Sequence, residues 1–331
     1  MNKIRIGTRG SKLALKQAAL VQEALRQAEG GIETEIVVLH TQGDKILDKP
    51  LAEIGDKGIF VSEFEQALLE ERIDIAVHSA KDLPVKPAQG LDIVAVLPRG
   101  DVRDVLVIPK GGRHPELVEE YPVQSSFDLH DTVAEKQRGD GRTFVIGTGS
   151  RRRQKQAEQL WENVTCENIR GNVDTRLRKL RDGSGGTTYD AIILAKAGLD
   201  RLEIMSQYGD QFEFYPLPPE QFLPAACQGI IAVEAVQDSP AAEVCRKITD
   251  AMTELCFQVE REVLEQLAAD CSEAAAAWCR QERGSLILDV MYAGDKAKQS
   301  SAETGTEKWD KQLRAGLEMA RKAAELVKEK G

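Results

Sequence analysis

No stretch of the 331 residues stays apolar for anything near the roughly 20 residues that a membrane helix requires, so no helical span is expected. The amino terminus lacks the apolar core and small-residue cleavage site of an export signal, and Ile4 and Ile6 alternate there as in a strand. A cytoplasmic protein is the expectation. Cysteine pairs are missing too. Cys166, Cys227, Cys245, Cys256, Cys271 and Cys279 lie far apart with no Cys-x-x-Cys spacing, and His40, His78, His114 and His130 are equally scattered. Neither a zinc centre nor a dithiol redox motif is predicted, and the thiols are read as free. Glycine-rich nucleotide fingerprints are absent as well. Lys and Arg number 44 against 54 Asp and Glu, a formal net charge of −10, which opposes nonspecific attraction to nucleic acid or anionic membrane.

An acidic chain must bind anions through local clusters, and its arginines do cluster: Arg151, Arg152 and Arg153, then Arg170, Arg176 and Arg178. The remainder is ordinary for a globular protein, 42% hydrophobic and 30% charged, with length enough for two or three domains. Strand-like and helix-like segments alternate from Lys3 to Val77, which predicts an α/β fold with a parallel sheet. The opening repeats: Ile6, Gly7, Thr8 and Ser11 have counterparts in Ile146, Gly147, Thr148 and Ser150, and Asp74 to Val77 in Asp190 to Ile193. Two similar lobes facing a central cleft are expected, the first over 1–99 and 221–239, the second over 100–220. Pro98 to Asp101 and Pro216 to Glu220 would be the hinges, and the polar stretch 111–142 a loop insertion. Residues 240–331 are predicted to form a small α+β domain. Its last helix would present Trp309, Leu313, Leu317, Ala320, Ala324 and Val327 to the core.

Two turns of Gly and Ser lead into helices, and a helix amino terminus offers unpaired N–H groups and positive partial charge to an anion. Arginines at such a terminus suit a bound carboxylate or phosphate; the plain alternative for Arg151 to Arg153 is a solvated face paired with Glu158. The turn Ile169 to Val173, followed by Arg176, adds guanidiniums whose planar fork suits carboxylates. Three arginine groups favour a ligand with several negative charges. His78, Ser79, Ala80, Lys81, Asp82, Leu83 and Pro84 follow a buried-looking strand, an active-site position in this class. The alternative is that Asp82 caps a turn before Pro84 and pairs with Lys81.

Together Ile6–Ala14, Asp56–Phe60, His78–Pro84, Arg170–Arg176 and Leu223–Gly229 resemble the porphobilinogen deaminase (hydroxymethylbilane synthase) family, over residues up to about 267. The resemblance implies two periplasmic-binding-protein-like lobes and a third domain. It implies a transferase of tetrapyrrole (heme and porphyrin) biosynthesis that joins four porphobilinogen molecules head to tail with loss of ammonia and works as a monomer. A dipyrromethane cofactor would be held by a thioether to Cys271, with Asp82 as the catalytic carboxylate. Residue by residue, Arg9, Ser11, Lys57, Ser79, Lys81, Thr148, Ser150, Arg152, Arg153, Arg170, Arg176 and Arg201 match cofactor and substrate contacts.

The chain departs from the family around the cofactor cysteine. It reads Ala269, Asp270, Cys271, Ser272, Glu273, Ala274 where two glycines precede the cysteine and a proline and glycine follow it, which makes Cys279 the fallback attachment point. Acidic neighbours repel a carboxylate-rich cofactor, and Asp270 would raise the thiol pKa. Glu53 stands where lysine is usual, and Arg151 adds a charge beside the arginine pair. A noncatalytic anion-binding protein and an inactive relative lacking the cofactor are the competing expectations.

Overall fold

The computed structural model describes residues 3–39, 61–112, 143–269, 273–303 and 309–329. Lys57, Cys271, the segment Asp56–Phe60 and nearly all of the predicted insertion lie outside them. Two compact units emerge: Met1–Asp101 with Ala225–Gly331, and Val102–Pro224.

The first unit opens with β1 (Lys3–Arg9), α1 (Lys12–Ala28), β2 (Glu33–Leu39), α2 (Ser62–Leu69), β3 (Ile75–Ser79) and β4 (Leu91–Val96). The second holds β5 (Asp104–Pro109), β6 (Phe144–Gly147), α3 (Arg151–Leu160), β7 (Val164–Glu167), α4 (Val173–Asp182), β8 (Ala191–Ala195), α5 (Lys196–Arg201), α6 (Ile204–Tyr208) and β9 (Phe212–Pro216). The chain returns to the first unit as β10 (Ile231–Val236), α7 (Pro240–Arg246), α8 (Ala251–Leu267), β11 (Ala275–Glu282), β12 (Ser285–Tyr292), β13 (Asp295–Glu303) and α9 (Trp309–Lys328).

Each lobe is built on a five-stranded sheet, ordered β2-β1-β3-β10-β4 in one and β7-β6-β8-β5-β9 in the other. The predicted parallel sheet is mixed: β10 and β5 run antiparallel to both neighbours, while the first three strands of each sheet are parallel. The reason is connectivity. These two strands arrive from the other unit and not through a helical crossover, so nothing forces them parallel.

The repeat seen in the sequence is a true equivalence of register. Arg5 N donates to Asp74 Oδ2 at 2.6 Å while Asp74 N donates to Arg5 O at 2.9 Å. In the second lobe Val145 and Asp190 exchange the same two bonds, both at 2.9 Å. Gly7 pairs with Ala76 and Gly147 with Ile192. Both glycines are needed for close packing, since a Cβ would lie 2.4 Å from Ile73 Cδ1 in one and 2.9 Å from Ile192 Cγ2 in the other. Both turns end in a serine cap: Ser11 Oγ accepts from Ala14 N and Ser150 Oγ from Arg153 N.

The third domain packs α8 and α9 on one face of the antiparallel sheet β11-β12-β13. The alanine run at the start of β11 hid this strand, because alanine favours helices while burial decides here. On α9 the predicted Leu317 is only half-buried, and Gly316 takes the core position. Its missing side chain admits Val259, whose Cγ2 would sit 2.4 Å from a Cβ. Helix α7, placed by pattern in the third domain, packs Ala241, Ala242 and Cys245 into the first lobe's core.

One buried carboxylate ties these parts together. Glu260, fully buried on α8, accepts from Arg99 at 2.6 and 3.1 Å, from Cys227 N at 2.5 Å and from Cys279 N at 2.7 Å. Burial alone would lower the Arg99 pKa; the pairing with Glu260 outweighs it and holds the guanidinium charged. Removing one partner of such a pair leaves an uncompensated buried charge, at a cost of about 3–5 kcal/mol. Glu260→Ala is therefore expected to lower the midpoint of thermal unfolding by several degrees in calorimetry, and an unchanged midpoint would deny the pair this role.

Candidate active site

Because β1 and β3 are adjacent and parallel, the residues that follow them emerge at one edge of the first sheet. Arg9 ends β1 and Ser11 follows it; Ser79 ends β3, and Lys81 and Asp82 follow it. A single 3-10 turn, Ala80–Asp82, carries the last two. It is pinned by Ala80 N donating to Ile230 O at 3.0 Å and Leu83 N donating to Ala80 O at 3.2 Å, with Ala80 and Leu83 buried beneath. Lys81 is thereby half-buried and Asp82 exposed.

The side chains behind this turn are polar and buried. Gln17 Nε2 donates to Ser79 Oγ at 2.9 Å, and Lys81 Nζ donates to Gln228 Oε1 at 3.5 Å. Gln17 and Gln228 are almost wholly inaccessible. Among the described residues the Asp82 carboxylate makes no hydrogen bond or ion pair, so it neither caps its turn nor holds Lys81. His78 points elsewhere. Its Nε2 lies 2.9 Å from buried Glu234 and its ring edge meets Phe64, 5.4 Å between centroids, which makes it a core residue.

The second lobe presents its predicted residues at the matching edge, after the parallel strands β6, β7 and β8. Thr148 is fully buried and its Oγ1 accepts from Ser150 N at 3.2 Å. Arg170, Arg176 and Arg201 are half-buried; Arg176 Nε donates to Gly171 O at 2.8 Å, and burial lowers the pKa of Arg170 and Arg201. Arg152 and Arg153 are not the solvated face of the plain reading. Both are nearly inaccessible and share Asp104, at 2.8 and 2.7 Å, and they also donate to Leu223 O and Ile193 O. Arg152 Nε is buried with no hydrogen-bond partner among the described residues, and burial, ahead of every other influence, lowers the Arg152 pKa.

Cys271 stands between α8 and β11 in the chain, outside the described residues. On either side of it the chain is anchored: Ala268 takes a left-handed turn (φ 52°), Ala269 N donates to Leu264 O at 3.0 Å, and Ala269 and Ala275 are buried. Cys279 fails as an alternative attachment point. It sits inside the third-domain core, 1% exposed, and its thiol, hydrogen-bonded to Cys256 and buried, is pushed well above its ordinary pKa. Burial also raises Cys166 and Cys245 to about 12 and raises Cys227 further still. Such thiols are poor nucleophiles.

Pattern reasoning missed Gln17, Asp104, Gln228 and Glu260. A signal existed for the first: counted from the serine caps, Lys16-Gln17-Ala18 and Lys155-Gln156-Ala157 occupy equivalent places. The other three are single polar residues beside apolar runs, with no periodicity to mark them.

Residues 4–243 match the family model described as porphobilinogen deaminase, dipyromethane cofactor binding domain. The porphobilinogen deaminase of Maridesulfovibrio salexigens is 37% identical over 294 residues, 88% of this chain and 85% of that protein. That of Acetivibrio thermocellus is 38% identical over 296 residues, covering 89% of each. That of Ruminiclostridium cellulolyticum is 35% identical over 323 residues, 97% of this chain and 98% of its own. With sequence likeness running nearly end to end and the motif residues gathered at the carboxyl edges of two sheets, the chain belongs to the porphobilinogen deaminase family.

Proposed function

We propose that this chain is a hydroxymethylbilane synthase, a transferase that condenses four porphobilinogen molecules head to tail with loss of ammonia and releases the linear tetrapyrrole. The observation that carries the reading is the Asp82 carboxylate: exposed after β3, without a hydrogen bond or ion pair among the described residues, and flanked by Ser79 and Lys81, which Gln17 and Gln228 contact from behind.

A dipyrromethane carries four carboxylates, and the donor set fits it. Lys81, Ser79, Arg9 and Ser11 in the first unit, and Thr148, Ser150, Arg152, Arg153, Arg170, Arg176 and Arg201 in the second, are the residues proposed to hold cofactor and substrate carboxylates. Lys57 would join them. The buried Arg152 Nε, without a hydrogen-bond partner among the described residues, supports a ligand there, because an unsatisfied buried donor costs about 1–3 kcal/mol. Attachment is assigned to Cys271 by its match to the family's cofactor cysteine; the burial of Cys227, Cys245, Cys256 and Cys279 favours a thiol outside that group. When bound, the cofactor supplies the free pyrrole α-carbon that starts the chain.

Asp82 accepts hydrogen bonds from pyrrole N–H groups and stabilises the cation left on the substrate methylene when its amine departs as ammonia. Carbon–carbon bond formation then releases the α-proton of the accepting ring, and a carboxylate at this place can take it. The basic residues hold each added acetate and propionate, so that growing charge does not expel the product. The chain is read as a cytoplasmic monomer without nucleic-acid or membrane partners. No helix among the described residues is long and apolar enough to cross a membrane.

Intact-mass measurement of the purified protein should show an addition equal to two condensed pyrroles, absent from Cys271→Ser. An unmodified parent protein would favour a noncatalytic binding role. Asp82→Ala should lower kcat by roughly 10²–10³-fold with an unchanged unfolding midpoint, since it removes a charge-stabilising group and no packing. Near-normal product formation would take Asp82 out of the mechanism. Arg176→Ala should stall particular elongation steps, visible by mass as accumulated substrate-extended protein; normal kinetics would place the anion site elsewhere.

A further inference from the structure

We infer that Arg261 is a positioning residue of this reaction, fixing the turn that carries Asp82. The inference rests on the reading above, in which Asp82 is the catalytic carboxylate.

Beyond the 3-10 turn the chain from Leu83 to Gly90 forms neither helix nor strand, so side chains or water must satisfy its backbone groups. Helix α8 supplies the side chains. Phe257, Arg261 and Glu265 recur every four residues and so lie along one face of that helix. The Phe257 ring is buried in one cluster with Ala80 and Leu83, the residues on either side of Lys81 and Asp82. One turn on, Arg261 Nη2 donates to Pro84 O at 2.7 Å and also to Val85 O. One turn further, Glu265 meets Lys86 at 2.6 Å, a pair too exposed to contribute much.

These contacts reach Asp82 through a stiff link. Proline has a fixed φ and no N–H, and it restricts the residue before it to extended backbone. Leu83 is held in that way, at ψ 145°. A guanidinium that fixes the Pro84 carbonyl therefore sets the backbone only two residues beyond Asp82. The upstream end of the turn is fixed separately, by Ala80 N donating to Ile230 O at 3.0 Å. Arg261 is itself held in place, with its Cζ 5.1 Å from the centre of the Phe257 ring. Its hydrogen-bond acceptors are backbone carbonyls, so what it fixes is the course of the chain and not a charge.

The test combines hydrogen exchange with kinetics. In Arg261→Met, amide exchange over residues 79–86 should be faster than in the parent protein, with β12 and β13 unchanged. On protein whose cofactor loading is confirmed by intact mass, kcat should fall about tenfold with little change in KM for porphobilinogen, as expected when a group acting on the transition state is displaced. In an Asp82→Ala background the same substitution should cost no further rate. Arg261→Lys keeps the stem and the charge without the planar fork; it should show the same changes on a smaller scale, and it carries the test if the methionine variant unfolds. Parent-like exchange over 79–86, or a loss of kcat undiminished in the Asp82→Ala background, would overturn the inference. Near-normal product formation by Asp82→Ala would instead remove the reading of Asp82 on which this one rests, a failure distinct from parent-like exchange.

Discussion

The Glu260–Arg99 pair is the constraint on which the first unit depends. Arg99 lies just beyond β4, where the chain leaves for the second unit, and Cys227 just before β10, where it comes back. Glu260 belongs to α8, which precedes Cys271 in the chain, and Cys279 to β11, which follows it. One carboxylate therefore bonds the outgoing segment, the returning segment and both elements that bracket Cys271. A buried ion pair is a poor source of net stability, since desolvation offsets most of its attraction. Its value is geometric. Few arrangements satisfy four donors on one carboxylate, so the pair specifies which segments meet, and with them where Gln228 and Lys81 stand.

The two lobes share a register and have diverged in charge. Counting from the paired positions Ala76 and Ile192, Ser79, Lys81 and Asp82 correspond to Ala195, Ala197 and Gly198. Counting from the serine caps, Leu13 and Ala14 correspond to Arg152 and Arg153. The first lobe thus keeps the acid and lacks the arginine pair, and the second has the reverse. Even the equivalent glutamines differ in employment: Gln17 bonds Ser79, whereas Gln156 bonds both backbone groups of Leu223. With no serine at position 195, its counterpart site has nothing for that amide to hold.

This divergence explains what was legible beforehand. Short local rules carried the two caps, the Gly-Thr turns, the β3 motif and the final helix, because each depends on residues within a few positions of one another. The antiparallel β5 and β10 were not legible, since their direction follows from where the chain has been. Gly316 in place of Leu317 on the core face of α9 reflects how closely α8 approaches, a tertiary fact with no local signature. The same holds for the partners of the arginines. The sequence marks Arg152 and Arg153 as unusual at a helix start, yet Asp104, nearly fifty positions away, is identified only by the fold.

That partner sharpens the electrostatic argument. Arg152 and Arg153 share one carboxylate, so the cluster formed by these three side chains keeps one positive charge in excess, in a place with almost no water. Burial penalises such a charge, which is why the Arg152 pKa falls despite Asp104 beside it. Decoration of a surface helix gives no reason to retain this arrangement. A polycarboxylate ligand does: a negative group at the amino terminus of α3 would offset the excess charge, and the helix dipole would act in the same direction. In a protein of net charge −10, the proposed hold on an acidic pyrrole chain depends on local concentrations of positive charge such as this one.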